Sequence, residues 1–141
     1  MPDTNLIQKI KKDGHENCFC LEQDFYYYNL NCKWKLKWYH AKVLDYKSLK
    51  RLGGVQKARI TNEGCYNQGG WHFSYFGDKE KIITKIKSFA HQEFNTDYYL
   101  DPTRIEKCMK EGIDIYERGY EMDFVPIEKN QYLPKNWRMI Q

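Results

Sequence analysis

The stretch that decides the fold reads Gly-Gly-Trp-His-Phe-Ser-Tyr-Phe-Gly-Asp and occupies residues 69–78. Its two leading glycines, Gly69 and Gly70, tolerate positive φ and a close approach by other backbone. A ligand or a second strand can therefore come near the main chain just before Trp71. We expect function at this position.

The residues after the glycine pair favour a β-strand over 71–76 because they are mostly aromatic. Successive strand side chains point to opposite faces, so Trp71 lies on one face while His72 and Ser74 share the other. Asp78 follows the strand, and its carboxylate suits the N-cap of a helix because it can accept from the free amides of the first turn.

This helix is predicted to run from Asp78 to Asn95. Its apolar residues share one broad face and its lysines lie mostly off that face. The apolar residues are Ile82, Ile83, Ile86, Phe89, Ala90 and Phe94. Glu93 falls inside the apolar face, where a carboxylate must be paired, hydrogen-bonded, protonated or beside a wet cavity. Glu93 can therefore have either a structural role or a role in a functional site, and both possibilities stay open. His91 lies on the far flank of the helix, where we expect it to face solvent or to form a hydrogen bond.

Length and composition point to one compact domain over residues 1–141, large enough for a genuine core. The net charge of +4 comes from 23 basic and 19 acidic residues, so most charges are interspersed as on an ordinary solvated surface and no nucleic-acid partner is required. The 12 tyrosines and 4 tryptophans offer flat faces that suit stacking on sugars or bases, although the same residues also fill cores.

The cysteine pattern gives no disulfide framework and no zinc ribbon, because the number is odd and no C-x-x-C pair occurs. The five cysteines are Cys18, Cys20, Cys32, Cys65 and Cys108. We therefore expect the five cysteines to be reduced thiols.

The sequence also shows no signal-peptide h-region and no apolar run of about 18 residues, so no signal peptide and no membrane span are predicted.

Capping residues predict three further helices. The first starts at Asp3 or Thr4 and ends before Gly14. The second covers a turn or two over Tyr46–Leu52 and is closed by a glycine pair. The third begins at the Asp-Pro pair 101–102 and carries apolar residues at helical spacing.

Several shorter segments are rich in strand formers. They are Asn17–Leu21, Asp24–Leu30, Lys33–Trp38 and Ala41–Tyr46. Residues 61–70 are predicted to form a loop that leads into the central strand.

The segment Lys33–Trp38 alternates lysines with Trp34, Leu36 and Trp38, which is typical of a strand that is wet on one face. An inward aromatic face is the expected arrangement. A basic, aromatic strand is also the composition of a module that tracks a phosphate backbone, so a nucleic-acid-binding function is kept as an alternative.

Together, several motifs resemble the C-terminal half of glycosyltransferase family 17. The resemblance is carried by Gly-Gly-Trp-His-x-Ser-x-Phe-Gly at residues 69–77 and by Ser-Phe-Ala-His-Gln-Glu at 88–93. Phe-Tyr-Tyr-Tyr-Asn-Leu-Asn at 25–31 and Gly-Ile-Asp at 112–114 are similar to what precedes and follows these motifs in the family. Most of residues 2–118 is covered.

The resemblance implies an α/β fold, an incomplete Rossmann-like, GT-A type nucleotide-sugar transferase fold that has a mixed sheet and flanking helices. It also implies an activity, the transfer of N-acetylglucosamine or a related sugar from a UDP-sugar donor to a glycan acceptor, with inversion at the anomeric carbon. Such families usually require a divalent metal, most often Mn²⁺. The chemistry needs a base for the acceptor hydroxyl and neutralisation of the leaving diphosphate.

The resemblance also nominates site residues. Glu93 is the candidate catalytic base, since burial on an apolar face would raise its pKa. His72 is the second catalytic candidate, as a hydrogen-bond or metal partner, and Trp71 is the candidate sugar platform. The expected substrate-binding residues are Gly69, Gly70, Trp71, Ser74 and His91. The strand and the acid-bearing helix are expected to shape one carbohydrate pocket.

One departure from the family limits these expectations. The family places an acidic Asp-x-Asp motif, which holds the metal and the donor diphosphate, just before the segment that resembles 2–12, and this chain contains no Asp-x-Asp. The chain is therefore expected to be a C-terminal portion that transfers sugar poorly alone and that a missing N-terminal half would complete. A sugar-binding remnant without turnover is an alternative function. A cytoplasmic location would suit a viral or bacterial source, and the Golgi lumen an animal one.

Overall fold

A computed structural model of the chain describes residues 1–14 and 17–140. The helices are α1 Thr4–Asp13, α2 Tyr46–Leu52, α3 Val55–Ile60, α4 Lys79–Ser88, α5 Asp97–Leu100 and α6 Pro102–Glu111. The strands are β1 Phe19–Tyr27, β2 Cys32–Val43, β3 Gly64–Ser74 and β4 Met122–Phe124. Short 3₁₀ helices cover Gln92–Phe94, Ile127–Lys129 and Trp137–Met139.

The four strands form one mixed sheet in the order β3-β1-β2-β4, with one parallel pair. The parallel pair is β1 with β3. At the start of both strands the Glu63 N–H donates to the Cys18 carbonyl at 3.0 Å, and at their end the Tyr28 N–H donates to the Ser74 carbonyl at 3.0 Å. β4 pairs antiparallel with β2. The predicted α/β class with a mixed sheet and helices is confirmed at this coarse level.

The described residues divide into two compact units. Unit 1 contains the described part of Met1–Phe25, together with Leu36–His72 and Tyr132–Pro134. The Asp3 carboxylate caps α1 by accepting from the Asn5 and Leu6 amides, as predicted, and Ile10 is buried on the inner face of this helix. Asp45 caps α2 in the same way.

Unit 2 contains Tyr26–Lys35, Phe73–Gln131 and 135–140. Its core consists of tyrosines from the end of β1 and isoleucines from α4, α6 and the segment that follows α6. The fully buried members are Tyr26, Tyr27, Tyr28, Ile82, Ile86, Ile105 and Ile115. Each predicted helix start in this unit is confirmed, because Asp78 accepts from the Lys81 amide and Asp101 accepts from the Thr103 amide.

Helix α4 is shorter than predicted, and this difference matters for the site. It ends at Ser88, and Phe89 is extended with φ −77° and ψ 152°. The Ser88 hydroxyl donates to the Lys85 carbonyl at 3.3 Å, and the Gln92 side-chain amide donates to the Phe89 carbonyl. Side chains thus take over the carbonyls that a continuing helix would use, a competition that serine and other short polar residues favour.

The strand predictions were wrong in detail. Residues 64–70 belong to β3 and not to a loop, and α3 and β4 were not predicted. Leu36, expected to face inward, is 63% exposed.

Among the described residues, no helix is both long enough and apolar enough to cross a membrane.

Two cysteines that were expected to be reduced form a disulfide in unit 1. Cys20 on β1 and Cys65 on β3 lie on neighbouring parallel strands with their Cα atoms 4.5 Å apart, which is inside the range that a disulfide spans. Sequence reasoning could not find this pair, because the 45-residue separation becomes adjacency only through the register of β1 and β3. Cys18, Cys32 and Cys108 are free and buried.

The disulfide gives a direct prediction of thiol content. Denatured chain titrated without reductant should show three thiols, from Cys18, Cys32 and Cys108, and five after reduction. A Cys65→Ser variant should show four thiols under both conditions, because Cys20 then loses its partner. Five thiols in unreduced wild-type protein, measured after folding in a glutathione buffer, would contradict the pairing.

Candidate functional site

The glycine pair at the start of the central motif is occupied by the chain's own N-terminal residues. The Trp71 N–H donates to the Met1 carbonyl at 2.8 Å, and the Asp3 N–H donates to the Gly69 carbonyl at 3.1 Å. Gly70 has a φ of +124°, and a Cβ built there would lie 2.3 Å from the Met1 oxygen. Of the two possibilities that the glycines suggested, a ligand or a second strand, the structure shows the second.

Trp71 is buried in unit 1, with 6% of its surface exposed. Its indole N–H donates to the Tyr132 carbonyl at 3.1 Å, and the two rings lie 4.6 Å apart. The indole is therefore covered by a protein ring where the sequence suggested an open platform for a sugar.

His72 and Ser74 follow on β3 and are each half-buried. In unit 1 the His72 imidazole stacks on the Trp38 indole, with ring centres 4.3 Å apart and planes 14° apart, and Phe25 meets its edge at 4.7 Å. In unit 2 the Ser74 carbonyl accepts from the Tyr28 amide. Both residues thus have contacts that hold the sheet and its aromatic face.

His91 and Glu93 lie together after the end of α4, in and beside the short helix Gln92–Phe94. The His91 Nδ1 and the Glu93 Oε1 are 2.7 Å apart, and both side chains are 60% exposed. The expected burial of Glu93 on an apolar helix face was wrong, because α4 ends at Ser88. Hydrogen bonds from its own amide and from His91 lower the pKa of Glu93, where burial was expected to raise it.

The pairing of these two residues determines what each can do chemically. An ionised carboxylate only accepts hydrogen bonds, so the shared proton sits on the Nδ1 of His91. In the neutral ring, Nε2 is then a proton acceptor, and the structure gives this atom no partner among residues 1–14 and 17–140. A carboxylate that fixes the tautomer of an exposed histidine is an arrangement used in general base catalysis.

Aromatic rings anchor the segment that carries this pair. The Phe89 ring lies 4.9 Å from the His91 ring, and the Phe94 ring lies 4.1 Å from that of Tyr116. Tyr116 is itself fixed, since its hydroxyl is 2.7 Å from that of Tyr75. The His91–Glu93 pair is therefore exposed but held by a buried aromatic cluster.

An ion pair between a buried carboxylate and a partly exposed arginine supports this cluster. Asp114 accepts hydrogen bonds from the Tyr27 hydroxyl at 3.0 Å, from the Arg118 amide at 2.8 Å and from the Arg118 guanidinium at 2.9 Å. From the sequence, Gly-Ile-Asp at 112–114 was identified only as similar to a family motif, and no ion pair was predicted there. The signal that was missed is the spacing of Asp114 and Arg118, which places an acid and a base four residues apart.

Two lysines and two tryptophans of the basic strand β2 have partners within the protein. In unit 2 the Lys35 Nζ is 2.9 Å from Glu121, and in unit 1 the Lys37 Nζ bonds Asp24. Trp34 packs on Tyr120 with ring centres 4.6 Å apart, and Trp38 stacks on His72. These four side chains therefore contact protein groups, and nucleic-acid binding stays a prediction.

The candidate site contains no evident metal centre and has no recognised relative. Within the part of the chain that the structure describes, no group of three or more His, Cys, Asp or Glu side chains is placed to hold a metal ion. No protein-family model, curated protein or solved structure matches this chain.

Proposed function

We propose that the chain is the C-terminal portion of a catalytic domain similar to glycosyltransferase family 17, and that it transfers N-acetylglucosamine or a related sugar from a UDP-sugar to a glycan acceptor. The observation that carries the proposal is the exposed His91–Glu93 pair, which lies in the most distinctive part of the family-like motif. The pair has the tautomer and exposure that a base for a bulky hydroxyl substrate requires.

A partial Rossmann-like arrangement of the GT-A type is part of the proposal. Its support is the parallel pair of β1 and β3, with α4 following β3 after four residues. Parallel strands with a helix after the strand are the unit from which nucleotide-sugar folds are built.

The proposed reaction assigns one step to each member of the pair. As the acceptor oxygen forms its bond to the anomeric carbon, the His91 Nε2 takes the hydroxyl proton. The bond from the anomeric carbon to the diphosphate oxygen breaks, and UDP leaves with the electron pair. Glu93 holds the ring in position and stabilises the imidazolium that forms. Its lowered pKa makes Glu93 a better partner for this cation than a direct base.

The resemblance implies a divalent metal. Among the described residues, no group of three or more His, Cys, Asp or Glu side chains is placed to hold one, and the proposed step uses only His91 and Glu93. Gly69, Gly70, Trp71 and Ser74 are not required to touch the substrate, since each has a structural contact that explains it. His72, stacked between aromatic rings, is in this proposal a residue of the sheet face and not a proton carrier.

Transfer by variants of the His91–Glu93 pair tests the proposal. In an assay with UDP-N-acetylglucosamine and Mn²⁺, His91→Ala should lower kcat about 100-fold because the base is lost. Glu93→Gln should lower kcat about tenfold, because it keeps the hydrogen bond acceptor but removes the charge that stabilises the imidazolium. UDP release and the mass of the product glycan measure the rate. Glu111→Gln, an exposed acid on α6, should leave the rate unchanged.

A sugar-binding remnant without turnover is the second candidate, and the absence of any Asp-x-Asp in the sequence favours it. Glycan binding with no transfer in the wild-type protein would establish that candidate. Transfer that His91→Ala leaves unchanged would remove the pair from the mechanism. Neither transfer nor glycan binding would reject both.

A further inference from the structure

A cavity of about 420 Å³ lies at the carboxyl ends of the two parallel strands, within unit 2. β1 ends at Tyr27 and β3 at Ser74, and the cavity is lined by Tyr28, directly after β1, and by Phe76, two residues after β3. Its main lining residues are Tyr28, Asn31, Phe76, Asp78, Lys81 and Met109. In open α/β sheets, ligands bind in the crevice outside the carboxyl ends of parallel strands.

One residue that lines this cavity, Tyr28, and one next to the lining residue Phe76, Tyr75, have strained backbone conformations. Tyr28 has a φ of +68° and Tyr75 a φ of +54°, although neither is glycine. The Tyr28 hydroxyl donates to the Ile113 carbonyl at 2.7 Å, which holds the first strained turn in place. A strained residue that a hydrogen bond holds in the wall of a cavity is a feature found at ligand sites.

The walls combine an aromatic ring and apolar side chains with a polar rim. Phe76 and Met109 supply the apolar surface. On the rim, the Asp78 Oδ2 lies 3.7 Å from the Lys81 Nζ, and both side chains are exposed. Asn31 adds a side-chain amide to the polar lining, and its backbone amide donates to the Asn29 side chain at 2.9 Å.

The charges on the rim decide the class of ligand. The Asp78 carboxylate and the Lys81 ammonium lie close enough to offset each other, so the site has no net attraction for a phosphate. A neutral ligand rich in hydroxyl groups can instead accept from the ammonium and donate to the carboxylate while its C–H face packs on Phe76. The volume lies within the usual range for small-molecule sites.

We propose that this cavity binds a neutral sugar unit of a glycan, as a subsite separate from the His91–Glu93 pair. Helix α4 separates the two, because the cavity includes residues of its first turn and the pair follows its last. Ten residues of helix span about 15 Å, a distance that an oligosaccharide bridges and a monosaccharide does not. The inference rests on the proposed function and extends it by making the acceptor an oligosaccharide, and its test does not require turnover.

Binding of chitotriose, a neutral trisaccharide of N-acetylglucosamine, to the full chain tests the proposal by saturation-transfer NMR and titration. Lys81→Met removes the ammonium and keeps the apolar stem, and Asp78→Asn removes the charge while keeping a good helix cap. Each should weaken binding about tenfold, because a charge-assisted hydrogen bond is lost. Lys87→Met, on the last turn of the same helix, should bind as wild type does.

The outcomes separate this inference from the catalytic proposal. Chitotriose binding that is about tenfold weaker in Lys81→Met but unchanged in His91→Ala supports the subsite, whether or not sugar is transferred. No binding at millimolar chitotriose overturns it, and so does binding that Lys81→Met and Asp78→Asn both leave unchanged. Displacement of the sugar by UDP in a protein whose His91 is replaced would identify an anion site and would also overturn it.

Discussion

Replacing Asp114 by Asn is expected to lower the free energy of unfolding by about 3 kcal/mol. The carboxylate is 3% exposed and accepts from the Tyr27 hydroxyl and from the amide and guanidinium of Arg118. An Asn side chain presents N–H groups to donors that need acceptors, and it leaves the arginine without its counter-charge. Because Arg118 is 40% exposed and water screens it, the expected loss lies at the lower end of the range for buried ion pairs.

Urea unfolding followed by near-UV circular dichroism measures this loss. Asp123→Asn is the matched control, since Asp123 lies on β4, is exposed and is 4.0 Å from the Lys35 ammonium. That variant should change the free energy of unfolding by less than about 0.5 kcal/mol. Equal effects of the two substitutions would show that the Asp114 network does not stabilise the fold.

The pH dependence of the same difference has a definite sign. Burial would raise the pKa of Asp114, but hydrogen bonds from Arg118 and its charge outweigh burial and hold the pKa below its ordinary value of 3.8. A depressed folded-state pKa means that the stabilisation is complete above the unfolded value and is lost as the pH falls through the folded value. The gap between wild type and Asp114→Asn should therefore be constant near neutral pH and shrink below about pH 3.8.

Asp114 also connects the fold to the candidate site. Its carboxylate accepts from the Tyr116 amide at 3.3 Å, and the Tyr116 ring packs on Phe94, one residue after Glu93. A variant that loosens Asp114 should therefore disturb the His91–Glu93 segment without touching it. The exposed pair is positioned by a buried network, which explains how a polar, open site keeps a fixed geometry.

Local signals in the sequence predicted much of the secondary structure. The carboxylates of Asp3, Asp78 and Asp101 each cap the helix that they were expected to begin, because an N-cap depends only on neighbouring residues. The predicted end of α4 was wrong because hydroxyl and amide side chains near Ser88 compete for the backbone carbonyls at the end of this helix. A helical wheel contains no information on such competition, and the error placed Glu93 on an apolar face.

Long-range contacts account for the other errors. Nothing near Leu36 in the sequence indicates that its side of β2 is open, and nothing near Cys65 indicates that Cys20 is its partner. Both facts depend on sheet order and register. The candidate site has the same limit, since the resemblance nominated His91 and Glu93 as site residues, which stays a prediction, but did not indicate that they bond each other. The cavity at the strand ends was not predicted, because it requires knowing that β1 and β3 are parallel.

Replacing Gly70 by Ala should lower the free energy of unfolding by about 3 to 5 kcal/mol, a large loss for one added methyl group. Two costs combine. A φ of +124° is strained for any residue with a Cβ, and that Cβ would lie 2.3 Å from the Met1 carbonyl oxygen and 2.7 Å from the Asp3 nitrogen. These are backbone atoms, so the N-terminal segment must move away, and the hydrogen bonds that join it to β3 are broken.

Gly54→Ala separates the two costs. Gly54 has a similar φ of +109°, but a Cβ there meets nothing within 4 Å, so only the strain of about 2 kcal/mol applies. The difference between the two variants, measured by urea unfolding, isolates the contact with the N-terminal segment. Amide hydrogen exchange should become faster at Trp71 in Gly70→Ala, because its partner at Met1 is displaced, and stay unchanged in Gly54→Ala. Equal losses in both variants, with Trp71 still protected, would mean that the N-terminal segment contributes nothing and that the glycine pair is free for a ligand after all.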